Sequence, residues 1–412
     1  MKSKVTNFIA FDIGTSKIAA LAANINKQGL VKVIAQILHY SEGFNSGIIT
    51  DLSAAENSLI SAIYALEKDC DRSIKEVAVC LSGTGMKSYY VNNKIKLSNQ
   101  AITKQDIKKL IQKVLADFKV KDKEIIHYFP IEFVLDQNSV VDNPIGMYGR
   151  ELQCQVHVIA ANSSMLVNLT SCLAKCQVEV NDIMLSIYAS GLACLNEDEK
   201  ELGSVIVDIG SHTTGIGIFL RGKLIYAGYV PLGSSHITSD IAKELSISLD
   251  AAEKIKVLYG SAIITSFNKD NTIRIEDFEP DNGYGADLTI TSTHLASIIN
   301  PKITEILYQV KEQYDHIKVG DLLARRMVIT GGGASLSGIK NLAADIFNKQ
   351  VRIAKPENLP GFAENYNPYM YASVIGMVKC QAMKYEKNAL RLEEDENINW
   401  LRKTFLWLKE NI

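Results

Sequence analysis

The chain has 412 residues, 47% of them hydrophobic, which is enough for about two or three domains with sizeable cores. Lys and Arg number 44 against 46 Asp and Glu, a formal net charge of −2, so a global basic field that would recruit nucleic acid is excluded. Seven Cys, an odd number without paired C-x-x-C spacing, exclude a disulfide framework and a zinc ribbon and point to a reducing compartment. Met1 to Asn7 lead straight into an apolar strand, so no signal peptide is expected, and no run of about 18 apolar residues predicts a spanning helix.

The first element, Phe8-Ile-Ala-Phe-Asp12-Ile-Gly14-Thr15-Ser16-Lys17-Ile-Ala-Ala-Leu21, is an apolar strand that reaches an Asp, turns at a Gly, passes hydroxyls and leaves as a second strand. A strand over Val31 to Leu38 follows, then Gly43 and Gly47, then a helix opening at Thr50-Asp51 whose buried stripe is Leu59, Ile63 and Leu66. Val77 to Leu81 is a buried strand ending at Ser82-Gly83. From there to about Ala160 the texture changes. A basic amphipathic helix is predicted from Thr103 to Phe118, with strands around Ile125 to Val134 and Glu151 to Ile159 and no phosphate-type turn, so the segment reads as an inserted module. Its lysine face (Lys104, Lys108, Lys109, Lys113) reads as a solvated surface.

Ser163 or Ser164 is expected to cap the next helix, where Cys172 and Cys176 fall one turn apart as small core residues. A strand from Val178 then runs into a helix expected over Asp182 to Gly191, which leads into Ser204-Val-Ile-Val-Asp208-Ile-Gly210-Ser211-His212-Thr213-Thr-Gly-Ile-Gly217. This second hairpin repeats the grammar of the first. Each turn offers backbone N–H groups and hydroxyls to phosphate oxygens, and each Asp stands where it can hold a hydrated Mg²⁺. A lone Asp-Ile-Gly is also what any buried strand ending in a tight turn gives; the duplication near the starts of two halves selects phosphate binding, two hairpins clamping a nucleotide from both sides.

Helices over Ile237 to Leu245 and Leu249 to Leu258 follow, the latter with Glu253 and Lys256 on one side, and then a long helix expected to be entered through Asn300-Pro301, since Pro suits a first turn. Thr330-Gly331-Gly332-Gly333 ends a buried strand ahead of a helix expected from about Leu336. Three glycines let a flat ring approach the backbone. A flexible connection explains the run equally well when taken alone; after two phosphate turns it is where adenine and ribose would lie. Both Trp of the chain fall at its end. Ile398, Leu401, Phe405, Leu408 and Ile412 make one helical stripe with Trp400 and Trp407 at its edge and Arg402, Lys403 and Lys409 opposite, behind the acidic run Glu393 to Glu396. A core-facing helix gives such a stripe too, but boundary Trp and opposed basic residues are the pattern of a helix lying in lipid headgroups. Leu406, on the polar side, departs from it.

Taken in order, the turns at Asp12, Asp208 and Thr330 resemble those of the actin, Hsp70 and sugar-kinase superfamily of two-lobed nucleotide clamps. Asp182 to Gly191 resembles the helix linking the lobes, and Asn367-Pro-Tyr-Met-Tyr-Ala-Ser-Val-Ile-Gly376 the second linking helix. Within the superfamily the chain is most similar to the FtsA family of bacterial cell-division proteins, through Leu81-Ser82-Gly83, Asn143-Pro-Ile-Gly146, Val156-His157-Val158, the pair Glu253 and Lys256, and the chain's length and ending. The likeness covers nearly the whole sequence.

The resemblance implies an α/β, two-lobed actin-like ATPase fold with an FtsA-type inserted subdomain and a C-terminal amphipathic helix. Residues 1–82 and 161–200 would form the first lobe core, 83–160 the insertion, 201–238 and 312–385 the second lobe core, 239–311 its upper part, 386–397 a linker and 398–412 the membrane-targeting helix. It implies ATP and Mg²⁺ in the cleft, with Asp12 and Asp208 at the metal; Gly14, Thr15, Ser16, Lys17, Gly210, Ser211, His212 and Thr213 at the phosphates; Gly331, Gly332 and Gly333 at the adenine and ribose; and Glu253 and Lys256 as further cofactor-binding residues. Trp400, Leu401, Phe405, Trp407 and Leu408 would enter the membrane. Pro301 and Lys302, where the family commonly shows Glu-Pro-Arg, would meet the C-terminal tail of the tubulin-like protein FtsZ. The implied function is a filament-forming tether of the FtsZ ring to the inner face of the cytoplasmic membrane at the division septum, recruiting later division proteins. Two departures bear on chemistry. Ser211-His212-Thr213 stands where Gly-Gly-Thr is common, and Asp182 stands where actin-like proteins place a water-orienting Gln, so a catalytic set of Asp12, Asp182 and Asp208 favours nucleotide binding over fast hydrolysis. The rival readings are a small-molecule kinase using Asp182 or Asp208 as base, and a membrane-bound actin-like scaffold of pilus or shape-determining type. A kinase has no use for the tail.

Overall fold

The computed structural model describes residues 6–26, 28–98, 100–264, 271–279, 289–317 and 326–390. The first hairpin is β1 (Thr6–Ile13) and β2 (Lys17–Ile25), closed at the pair Ile13 and Ile18 and extended by β3 (Val31–Tyr40). A small ribbon, β4 (Phe44–Asn45) and β5 (Ile48–Ile49), precedes α1 (Leu52–Cys70), where Asp51 caps by accepting from the Ala54 amide at 3.0 Å. Leu59, Ile63 and Leu66 lie on its buried face, one or two turns apart as their spacing requires. β6 (Glu76–Leu81) then runs parallel to β1.

The insertion is an antiparallel sheet of β7 (Met86–Lys96), β8 (Lys123–Leu135), β9 (Ser139–Val141) and β10 (Glu151–Asn162), ordered β7-β10-β8-β9. Helix α1 is followed in the chain by α2 (Lys104–Asp117), started by a capping box between Thr103 and Asp106, and its Leu110 and Val114 close over Leu152, Cys154 and Val156 of β10. Lys104, Lys108, Lys109 and Lys113 are exposed.

Chain return to the first lobe runs through α3 (Ser163–Lys175). Its cap position is Asn162, which makes no side-chain cap bond, so the expected serine cap is not realised; both serines lie within the helix. β11 (Glu179–Leu185) joins β6 and completes the five-stranded sheet β11-β6-β1-β2-β3. Asp182 is therefore in a strand, opposite Ala78 after a bulge, and not at a helix start. The apolar Ile183-Met184-Leu185 keeps the chain in the buried sheet, and α4 (Ser186–Cys194) begins only beyond it. A short helix α5 (Glu197–Leu202) intervenes before the second hairpin.

That hairpin, β12 (Ser204–Ile209) and β13 (Thr214–Leu220), with β14 (Lys223–Val230), belongs to a second five-stranded sheet. Helices α6 (Ser234–Leu245) and α7 (Leu249–Tyr259) follow, then the ribbon β15 (Thr272–Arg274) and β16 (Thr289–Thr291), then α8 (Ser292–His316). α8 is capped by Thr291, which accepts from the His294 amide at 3.1 Å, so Pro301 sits inside it and not in its first turn. Pro forfeits one backbone bond; the buried row Leu295, Ile299, Ile303 and Ile306 on both sides of it holds the helix against the second core. β17 (Arg326–Thr330), α9 (Ile339–Phe347) and β18 (Gln350–Ile353) complete the sheet in the order β14-β13-β12-β17-β18. The helix expected from about Leu336 starts at Ile339, the glycine run itself forming a 3-10 turn over Gly332–Ser335.

From Ala354 the chain goes back to the first core, so the segment expected to stay with the second lobe through 385 divides there. Its last helix, α10 (Ala372–Leu390), buries Val374, Ile375 and Val378 against the first lobe and runs into the stretch expected as linker. α10 crosses α4 so closely that a Cβ on Gly376 would lie 1.7 Å from the Ala189 carbonyl oxygen, which only Gly avoids. The insertion also reaches the second lobe. His157 is fully buried between the Leu224 carbonyl and the Ser88 hydroxyl, each 2.8 Å away, and Tyr90 donates to the Ile225 carbonyl at 2.8 Å, so side chains of the insertion cover the edge strand β14.

Candidate functional site

The two hairpin turns face one cleft between the lobes, with a volume of about 720 Å³. They are built alike. The Gly14 amide donates to the Lys17 carbonyl at 3.0 Å and the Gly210 amide to the Thr213 carbonyl at 2.9 Å, so each Asp-Ile-Gly closes a tight loop at the end of its strand. Among the described residues the amides of Thr15, Ser16, Ser211, His212 and Thr213 have no protein acceptor, which leaves each cleft-lining loop with unused donors of the kind that bind anions. The second loop is steadied from behind by α6, whose Ser234 and Ser235 amides donate to the Gly210 and Ser211 carbonyls at 2.9 Å.

Asp12 and Asp208 end the two central strands on the floor of the cleft. Loss of water pushes the Asp12 carboxyl up from 3.8 to about 7, the charge of Asp208 adds to this, and the Ser373 and Ser186 hydroxyls oppose it. Asp208 is raised by the same loss of water and opposed by Ser190. The hydroxyls come from the two crossing helices: Ser186 donates to Asp12 at 3.4 Å, Ser190 to Asp208 at 2.6 Å, and Ser190 and Ser373 lie 3.4 Å apart. Among the described residues no Lys or Arg pairs with either carboxylate. Two carboxylates repelling each other, wet on one side and beside free amide donors, are the donor set a hydrated Mg²⁺ takes when substrate phosphates supply further oxygens. The residues fit that ion, although among the described residues no group of three or more His, Cys, Asp or Glu could hold a metal alone.

The third turn and α7 also line the cleft. Gly331 has φ +85°, and a Cβ there would sit 2.2 Å from Asp208 Oδ1, so only Gly lets β17 end against the carboxylate. A Cβ at Gly332 meets nothing nearer than Met370 Cε at 3.9 Å. Glu253 and Lys256 pair at 2.6 Å, with Thr238 donating to Glu253 at 2.5 Å and Lys256 to Thr238 at 2.8 Å. Lys256 is 8% exposed, and burial lowers its pKa against the pull of Glu253. The arrangement presents an oriented polar wall to the cleft.

Residues 205–376 match the family model "Cell division protein FtsA", and residues 83–160 match "SHS2 domain inserted in FTSA". Cell division protein FtsA of Neisseria meningitidis serogroup B is 30% identical over 389 residues, covering 94% of this chain and 92% of the relative. The chain belongs to the FtsA family of cell division proteins. Its fold is also that of two solved structures that are distant in sequence. One is the PilM–PilN type IV pilus biogenesis complex (TM-score 0.61, 14% identity, 94% of this chain and 99% of that one). The other is MreB5 of Spiroplasma citri bound to ADP (TM-score 0.55, 15% identity, 93% and 98%). The two-lobed actin-like ATPase fold with the FtsA-type insertion is thereby shown.

Of the site residues expected from the FtsA resemblance, the cleft brings together Asp12, Gly14 to Lys17, Asp208, Gly210 to Thr213, Glu253, Lys256 and Gly331 to Gly333. Asp182 is not among the cleft-lining residues. Its carboxylate is 3.1 Å from Lys384 of α10, because the strand carries it past the point where a linking helix would have aimed it at the phosphates. The serines at 186, 190 and 373 were not singled out from sequence. The one local signal was a pair of hydroxyls one turn apart on the otherwise apolar α4. Pro301 and Lys302 are not among the cleft-lining residues, although Ile303 beside them is; on α8 Lys302 pairs with Glu305 at 2.8 Å and Asp240 at 3.6 Å. Trp400, Leu401, Phe405, Trp407 and Leu408 lie outside the described residues. Among the described residues no helix is long and apolar enough to cross a membrane.

Proposed function

We propose that this FtsA-family chain binds ATP with Mg²⁺ between its lobes, polymerises, and tethers the FtsZ ring to the inner face of the cytoplasmic membrane at the septum, where it recruits later division proteins. The observation that carries the nucleotide reading is the pair of matching turns, Asp12 to Lys17 and Asp208 to Thr213, opposed across one cleft with their amide donors unused. The turns would hold the phosphates and Gly331 to Gly333 the nucleoside face, with Glu253 and Lys256 opposite. Asp12 and Asp208 would hold the cation, which when bound offsets the phosphate charge. Asp182, occupied by Lys384, leaves no carboxylate from that position to orient a water, which supports slow or absent hydrolysis.

The FtsZ tail would dock on the upper second lobe at Pro301 and Lys302. An incoming carboxylate must compete there with Glu305 and Asp240, and Lys lacks the bidentate fork of Arg, so the contact is expected to be weak. The helix over 398–412 would supply membrane affinity. Calorimetry with ATP in Mg²⁺ and in EDTA tests the nucleotide reading: saturable binding that weakens in EDTA supports it, and no heat in either sinks it. Co-precipitation with an FtsZ tail peptide tests the partner; equal capture by wild type and Lys302→Glu places the docking surface elsewhere.

A further inference from the structure

The second phosphate turn carries a titratable ring that the nucleotide reading leaves without a task. His212 lines the cleft between Ser211 and Thr213. Its Nδ1 is held between two hydroxyls, Ser211 Oγ and Ser235 Oγ, each at 3.1 Å, and Ser235 is itself anchored by donating to the Ser211 carbonyl at 2.7 Å. Among the described residues Nε2 has no partner. The ring is thus held at one nitrogen by two neutral hydroxyls, Ser235 Oγ as acceptor because its proton goes to the Ser211 carbonyl and Ser211 Oγ able to donate or accept, and it has no partner at the other nitrogen, on the loop whose amides line the same cleft.

We propose that His212 is a phosphate ligand in its imidazolium form, making nucleotide affinity rise as the medium becomes more acidic. The proposal rests on the nucleotide reading and adds to it a specificity-determining side chain. In place of the backbone room that a Gly gives, this turn has an N–H donor whose charge depends on pH. The group that acts on it is His236 of α6, with ring centroids 5.6 Å apart, and the other charged groups lining the cleft are Asp12, Lys17, Asp208, Asp250, Glu253 and Lys256. Burial first, and His236 second, hold His212 below its ordinary 6.5 in the empty cleft, so it is neutral at pH 7 to 8. A phosphate favours the charged form and raises that value. Binding then takes up a proton, and affinity climbs as pH falls through the raised value and levels off below the lower one.

The test is ATP binding with Mg²⁺, by calorimetry at pH 6, 7 and 8, for the full chain and for His212→Gly, His212→Gln and His236→Gln. Two pKa values separated by a phosphate contact allow at most tenfold per pH unit. Wild type relative to His212→Gly is therefore expected to bind about three- to tenfold tighter at pH 6 than at pH 8; the ratio cancels the titration of ATP itself. Adenosine, which has no phosphate, should show no such ratio. His236→Gln should keep the dependence and move it to higher pH. Melting curves separate loss of fold from loss of contact, and the two substitutions at 212 guard against one that fails to fold. The same pH dependence in His212→Gly overturns the inference, as does tighter binding by that variant at every pH, which would make the ring an obstacle. Absence of ATP binding by wild type at all three pH values overturns the nucleotide reading with it, and is distinguished from pH-independent binding, which overturns this inference alone.

Discussion

Asp12→Asn is expected to stabilise the nucleotide-free protein while weakening its grip on Mg²⁺ and ATP. The carboxyl is raised from 3.8 to about 7 by its surroundings, roughly three pH units at 1.36 kcal/mol each, or about 4 kcal/mol against folding at pH 8. Asp12 keeps some contact with cleft water and shares its repulsion with Asp208, so about 2–4 kcal/mol is recoverable by Asn. The sign follows from proton binding: between about pH 4 and pH 7 the folded state holds a proton that the unfolded state has released, so stability falls as pH rises. With roughly 2.1 cal/mol/K of unfolding entropy per residue, the variant should melt roughly 2–5 °C above wild type at pH 8, and by less than half that margin at pH 5. Excess Mg²⁺ and ATP should raise the wild-type Tm and raise that of the variant much less. Scanning calorimetry at the two pH values decides it. A variant that melts below wild type at pH 8, or a margin equal at both pH values, refutes the picture of a carboxylate kept under strain for a cation.

Gly332→Val places its side chain in open cleft beside Met370. It should cut ATP affinity more than about tenfold, 1.4 kcal/mol, with an unchanged melting curve, and undiminished affinity by calorimetry removes the third turn from the site. Gly376→Ala drives a methyl into the Ala189 carbonyl. It should cost about 1–3 kcal/mol or more and show as a lowered Tm, and wild-type stability would mean the two helices do not cross as tightly as described. Leu401→Glu with Phe405→Glu should release the protein from anionic vesicles in a flotation assay with ATP binding intact; flotation like wild type assigns the stripe to a core.

The parts legible in sequence were those whose geometry is local. An apolar strand reaching Asp-Ile-Gly must turn within a few bonds, so both hairpin turns and the strands that feed them are legible residue by residue. The serines at 190 and 373 come within 3.4 Å only because α4 and α10 cross, a contact between segments 183 positions apart that no local pattern encodes. A bulge before Asp182 disguises the strand's alternation, so the local pattern predicts a helix there, while the buried run that follows holds the residue in the sheet. The local preference of Pro301 is for a first turn, but core contacts on both sides outweigh one missing backbone bond. The return of the last helix to the first lobe was likewise a tertiary choice, made by the apolar face of α10.

These same tertiary contacts join the cleft to the rest of the molecule. Each carboxylate takes a hydroxyl from a linking helix, Asp208 from Ser190 and Asp12 from Ser373 and Ser186, so a cation that draws the two carboxylates together pulls on the crossing of α4 and α10. That crossing has no slack at Gly376, so motion there must be a pivot and not a compression. On the far side, Ser88, Tyr90 and His157 tie the insertion to the edge of the second lobe's sheet through buried backbone partners, and burial keeps His157 neutral by lowering its value to about 4. Breaking those bonds costs about 1–3 kcal/mol for each partner left unsatisfied. The insertion is therefore fastened to the edge of the second lobe's sheet while remaining covalently part of the first, so the chain of contacts from cleft to insertion runs through both lobes.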